Sequence, residues 1–177
     1  MSHHESMITG EQSVTSGEQS MLSNEQSMMP MTGHGDMARV RHPDMTWLEI
    51  FELHPKPAGG DRETLVRCIQ NCLDCAASCT SCADACLSES DLQKLVRCIR
   101  LSLDCAEACN ATTPILIRQT APDLRLLRAT VEACATACLV CAEECERHAD
   151  HLEHCRLCGE VCLRCKQACD DVLAILG

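Results

Sequence analysis

From residue 61 onward the apolar positions recur at alternating gaps of three and four, most plainly in the run CIQNCLDCAASCTSCADAC, Cys68 to Cys86. Such gaps return to one face of an α-helix, so Cys68, Cys72, Cys75, Cys79, Cys82 and Cys86 form one stripe facing whatever the helix packs on. Leu, Ile or Val ordinarily fill that stripe; here thiols do. The rhythm returns three times: in Cys98, Cys105 and Cys109; in Cys134, Cys138, Cys141 and Cys145; and in Cys155, Cys158, Cys162, Cys165 and Cys169.

Candidate caps divide the region into four helices near 62–88, 91–119, 121–148 and 151–176. Asp61 starts the first, and Ser90 with Gln93, Thr120 with Asp123 and Asp150 with Glu153 follow the spacing of a capping box. Connections of a few residues force antiparallel neighbours. The predicted class is therefore all-α, an antiparallel up-down-up-down four-helix bundle with a cysteine-lined core over 61–177. Pro114 is expected to kink or break the second helix.

The first sixty residues have a different pattern. Four tandem heptads, HESMITG, EQSVTSG, EQSMLSN and EQSMMPM, run from His4 to Met31. A period of seven suggests a coiled coil, but each unit holds few apolar residues and much Ser, Gly and Asn, so 1–42 reads as a disordered extension. Within 43–60, DMTWLEIFEL predicts a short amphipathic helix from Asp44, with Trp47, Leu48, Phe51 and Ile50 on its apolar side and HPKPAGG as linker. It is expected to pack on the outside of the bundle.

Charge and composition narrow the function. The net charge of −11 divides into −5 over residues 1–60 and −6 over the rest, so neither part offers the basic face that nucleic acid or an anionic membrane needs. No run of 18 apolar residues, secretion signal or twin-arginine pair is present, which makes the cytoplasm the default compartment. In a reducing compartment eighteen cysteines read as metal ligands before they read as disulfides.

Soft sulfur donors select Cu(I), with zinc and iron–sulfur clusters as rivals. Thiols four apart on a helix can close on a small ion, and Cu(I) accepts two or three sulfurs, so a continuous ladder suits it. If every thiolate bridges two ions, capacity approaches roughly eighteen Cu(I) per chain; without bridging it is about nine. Zinc wants separate tetrahedral sets, and no cysteine here precedes a proline as in the common four-iron motif. A zinc or broad-specificity buffer, or an iron–sulfur or thiol redox protein, stands as the alternative. No catalytic set is assembled.

The two ends of the predicted tube differ. One carries Cys86, Cys145, His148 and His151, with His154 nearby; the other carries Leu65, Leu116, Leu124, Leu127, Val172, Leu173 and Leu176. His148 and His151 continue the three/four rhythm beside Cys145 and Cys155, which makes them candidate ligands at the mouth.

Three blocks in order, CIQNCLDCAASCTSCADAC, CIRLSLDCAEAC and CAEECERHADHLEHCRLCGEVCLRCKQAC, resemble the four-helix-bundle copper storage proteins over residues 61–177. The resemblance implies a bundle filled with Cu(I) on the eighteen cysteines, His148 and His151 near its mouth, storage without turnover, a homotetramer, and kinship with the cytosolic branch. Ser102 and Thr112 depart from the pattern, so the second helix should contribute fewer copper bonds. The extension lies outside the resemblance. Its Met and His residues suit copper capture or a copper donor, its EQSM units suit an address for a shell or scaffold protein, and it could equally be a spacer.

Overall fold

The structure is a computed structural model that describes residues 45–55 and 61–177; the heptads and Asp44 lie outside the described residues. Five helices follow in order: α1 (Thr46–Glu52), α2 (Arg62–Leu87), α3 (Leu92–Ile117), α4 (Leu124–Glu146) and α5 (Glu153–Ile175). α2 packs on α3, α3 on α4 and α4 on α5, while α5 closes back on α2. That ring is the expected four-helix bundle, and its stripes meet on the axis. All eighteen cysteines are buried.

Capping differs from the sequence expectation at three of four starts. Asp61 caps α2 as expected, its carboxylate accepting from the backbone N–H of Glu63 and Thr64. The α4 cap is Asp123, which accepts from Arg125 N–H at 2.9 Å; Thr120 lies upstream, because Ala121 takes a left-handed φ of 46° before Pro122 and delays the helix. Ser90 does not cap α3. Asp91 stands at that position without a side-chain cap and instead pairs with Lys94 at 2.6 Å. Asp150 is bypassed because turns prolong α4 through His151, with Leu152 N–H donating to His148 O at 2.9 Å. α5 thus begins at Glu153, after Leu152.

Pro114 does not break α3, which runs three residues further to Ile117. The proline is exposed, and its missing N–H removes one rung close to the helix end. Thr112 and Thr113 hydroxyls donate to Ala108 O and Cys109 O in the preceding turn, at 2.7 and 2.9 Å.

The short helix packs on the bundle as expected. Gln119 and Arg62 both donate to Phe51 O at 2.8 Å, adding to the long 3.4 Å turn bond from His54 N–H at the end of α1. The Arg62 guanidinium also lies 5.4 Å from the Phe51 ring centre, and Trp47 meets that ring edge-on. Leu48 and Phe51 are buried, but Ile50 faces solvent, since a seven-residue helix lying on a surface buries only one side. At the apolar end, Leu116, Leu127 and Val172 are buried, whereas Leu124, in the first turn of α4, is exposed.

Gly159 marks a close approach of α5 to α4. A Cβ there would sit 3.5 Å from Cys145 Cβ and 3.7 Å from Ala142 O, which is ordinary contact. Gly159→Ala should therefore stabilise the metal-free bundle, by up to about 1 kcal/mol, because alanine costs less helical entropy than glycine. Urea unfolding of both proteins under reducing conditions measures the gain.

Candidate metal centre

The thiols are free and in mutual contact. Sulfur–sulfur hydrogen-bonding contacts run from 3.4 Å, between Cys79 and Cys162, to 4.0 Å, between Cys79 and Cys141. Several cross the bundle diagonally. Cys75 on α2 lies 3.9 Å from Cys138 on α4, and Cys98 on α3 lies 3.9 Å from Cys155 on α5. Sulfur thus fills the axis where aliphatic side chains would ordinarily interdigitate.

These contacts sort the cysteines into connected groups. Cys82, Cys86, Cys98, Cys145 and Cys155 form the set nearest the connections at residues 89 and 149. A central set comprises Cys72, Cys75, Cys79, Cys105, Cys109, Cys134, Cys138, Cys141, Cys158, Cys162 and Cys165. Cys68 and Cys169 pair at 3.8 Å toward the apolar end. Ser102, fully buried, occupies the missing α3 rung with its hydroxyl 3.7 Å from Cys141 Sγ. Thr112 is also buried, but its hydroxyl serves Ala108 O.

Groups of four donors gather within 4.8 Å of one another: Cys72, Cys134, Cys165 and Cys169; Cys75, Cys105, Cys109 and Cys138; Cys75, Cys79, Cys105 and Cys162; Cys79, Cys141, Cys158 and Cys162. Cys75, Cys79, Cys105 and Cys162 each belong to two of these groups. Closed tetrahedral zinc sites at both members of such a pair would compete for ligands. Bridging thiolates shared between Cu(I) ions would not.

A further group joins Cys82, Cys86 and Cys155 to His154. His154 Nδ1 stands 3.5 Å from Cys155 Sγ and 3.6 Å from Cys82 Sγ, and Nε2 lies 3.3 Å from Glu89 Oε1. A carboxylate behind a ligating histidine fixes its ring orientation and tautomer. The sequence reading left His154 out of the ligand set. Its place four residues before Cys158 was the usable signal.

His148 and His151 share a pocket at this end with Glu89, Ser90, Asp91, Lys94, Leu95 and Leu152. His148 Nε2 is buried without a hydrogen-bond partner, 3.5 Å from Glu144 Oε1. Glu144 is itself buried and accepts from Arg97 Nε at 2.9 Å across the α3–α4 interface, so its charge is paired.

Thiol acidity depends on position in the network. Cys75 is held far below the usual range by hydrogen bonds from Cys105, Cys109, Cys138 and Cys162, while Cys162 is pushed well above it by contacts with Cys105, Cys141, Cys158 and Cys75. Burial, reinforced by Cys98 and Cys82, pushes Cys86 up to about 12 from 9.0. A raised folded value means that the folded state holds the proton longer than the unfolded chain. This contribution to stability is complete below pH about 9 and is lost as pH rises toward about 12. Above pH about 9, where a lowered thiol such as Cys75 is ionised in both states and contributes no slope, denaturant unfolding of the metal-free protein should show stability falling toward pH about 12.

The family model described as copper storage protein matches residues 61–174. The chain belongs to the copper storage protein family. Solved structures agree in fold and sequence. Streptomyces lividans Ccsp loaded with 10 copper equivalents is 49% identical, with a TM-score of 0.71 over 73% of this chain and 98% of that one. A histidine-to-alanine variant of the same Ccsp is 52% identical, with a TM-score of 0.67 over 68% of this chain and 100% of that one. The form described as a cytosolic copper storage protein with five coppers is 52% identical, with a TM-score of 0.65 over 66% of this chain and 97% of that one. No curated protein matches the chain. No helix among the described residues is long and apolar enough to cross a membrane.

Proposed function

We propose that this member of the copper storage protein family sequesters Cu(I) in the cytosol on the thiolates of its core and protects against copper toxicity without catalytic turnover. The observation that carries the reading is an axis lined by eighteen buried thiols in mutual contact within a copper storage family match, four of them shared between neighbouring groups as bridged Cu(I) requires. The eighteen cysteines are its ligands, joined by His154 in the group nearest the mouth, with His148 and His151 as auxiliary donors in the end pocket. The relatives described as loaded with five and ten coppers support the choice of metal, and the one described as cytosolic supports the compartment.

Assembly as a homotetramer is part of the same proposal. Exposed Leu73, Leu103 and Leu163 on the outer faces of α2, α3 and α5 support it. Residues 1–42 are a segment distinct in sequence from the bundle over 61–177, and their repeats serve as an address, a copper-capture segment or a spacer. Nucleic acid is not a partner in this reading, given the net charge of −11.

Expression in a copper-sensitive strain tests the reading. The intact chain should raise both the copper tolerated and the copper held in soluble extract. Replacement of Cys75, Cys79, Cys105 and Cys162 together by serine should cut both effects to about half, at roughly two ions lost per bridging thiolate. Equal protection by the quadruple variant would refute storage in the core.

A further inference from the structure

A groove on the side of the bundle, between α2 and α5, reaches the thiols where the end pocket does not. Its cavity of about 460 Å³ has Cys82, Cys158 and His154 in its lining. Cys82 and Cys158 are the two most exposed of the eighteen cysteines, each at 2%. The opening arises from small residues on α2: Ser78, Ser81 and Ala85 face Leu157 and Val161 across the groove. The end pocket is smaller, about 200 Å³, and its lining includes Leu95 and Leu152 but no cysteine.

The geometry points to this lateral groove as the port through which copper is exchanged, delivered as a Cu(I) complex of a small thiol. This rests on the copper-storage reading. A cavity of that volume takes a ligand of small-molecule size, with apolar walls for its carbon skeleton and two serine hydroxyls for its polar groups. Cys82 Sγ and His154 Nδ1, 3.6 Å apart, offer a sulfur and a nitrogen donor together. In the exchange one Cu–S bond to the carrier breaks as one Cu–S bond to Cys82 forms. The Cys82 proton leaves on the carrier sulfur, and no electron is transferred. Cys155, 4.0 Å from Cys82, and Cys158, 3.7 Å from Cys79, then lead into the end set and the central set respectively.

Two measurements test the port. In the wild-type metal-free protein under native conditions, limited iodoacetamide treatment followed by peptide mass mapping should find Cys82 or Cys158 modified first; first modification at Cys86 or Cys98 would overturn the proposal. In the second, reduced full-length protein takes up Cu(I) from its N-acetylcysteine complex in stopped flow. Ser81→Trp and Ala85→Leu should each slow uptake at least about ten-fold, a barrier increment of about 1.4 kcal/mol, with final capacity unchanged. Ser90→Trp, which fills the end pocket, should leave the rate within about two-fold. Full capacity in all variants, with only Ser90→Trp slowed, would place the port at the end of the bundle and refute the lateral one. Absence of copper uptake by every protein would instead refute the storage reading, and the alkylation order would still decide whether the groove is the accessible face.

Discussion

Reduced protein loaded with Cu(I) is expected to unfold far above the temperature at which the metal-free bundle unfolds. The metal-free core is sulfur in contact with sulfur at 3.4–4.0 Å, where larger aliphatic side chains would bury more apolar area. Copper that binds the folded chain in preference to the unfolded one stabilises by mass action, about 2.7 kcal/mol per site at free metal a hundredfold above the dissociation constant. A few such sites rival the whole stability of an ordinary domain, about 5–15 kcal/mol. A shift of more than about 20 °C follows, even after discounting for copper held by unfolded cysteines. Anaerobic circular dichroism melts with and without copper measure it, and a strong Cu(I) chelator should reverse it. A shift of only a few degrees would place the copper outside the core.

The second large effect separates a hub from an end of the sulfur network. Cys75 meets Cys79, Cys105, Cys138 and Cys162 at 3.7–3.9 Å, whereas Cys68, at the apolar end, meets Cys169 at 3.8 Å and has Cys72 as its other sulfur neighbour. Cys75→Ala should lower copper capacity by about two or more ions, because each bridging thiolate serves two metals and its loss leaves both under-coordinated. Cys68→Ala should lower it by about one ion or less. Both variants remove one buried sulfur, so their metal-free stabilities should fall by similar amounts, about 1–2 kcal/mol. Native mass spectrometry of copper-saturated protein counts the ions. Equal losses at the two positions would mean that the thiolates act independently, without bridging.

The cysteine stripe made the bundle legible because a three/four repeat over four segments leaves one arrangement that buries every stripe. Short connections then fixed antiparallel neighbours, and the ring from α2 through α5 follows. Helix starts were less legible. Capping pairs at Ser90, Thr120 and Asp150 match the sequence rule, yet Asp91 prefers Lys94, Pro122 delays α4, and the turn through His151 absorbs Asp150. Local side-chain competition decides each of these. Pro114 does not break α3, because an exposed proline near the end of a well-packed helix removes only one rung. At the site, the cysteines were legible from rhythm alone. For His154 the rhythm offers only the four-residue spacing to Cys158, while its role depends on Glu89 and Cys82 approaching from other segments. The sharing of Cys75 and Cys79 between groups is likewise a property of the packed axis, which spacing along one helix does not contain.

The most direct test is an anaerobic titration of fully reduced protein with Cu(I), and separately with zinc, each against a competing chelator. Tight uptake of more than about nine Cu(I) per chain, beyond what unbridged thiolate pairs allow, is the predicted result and requires shared sulfur. Saturation near four ions, with zinc outcompeting the chelator and copper adding nothing further, would mean separate tetrahedral sites and would contradict copper storage in the core.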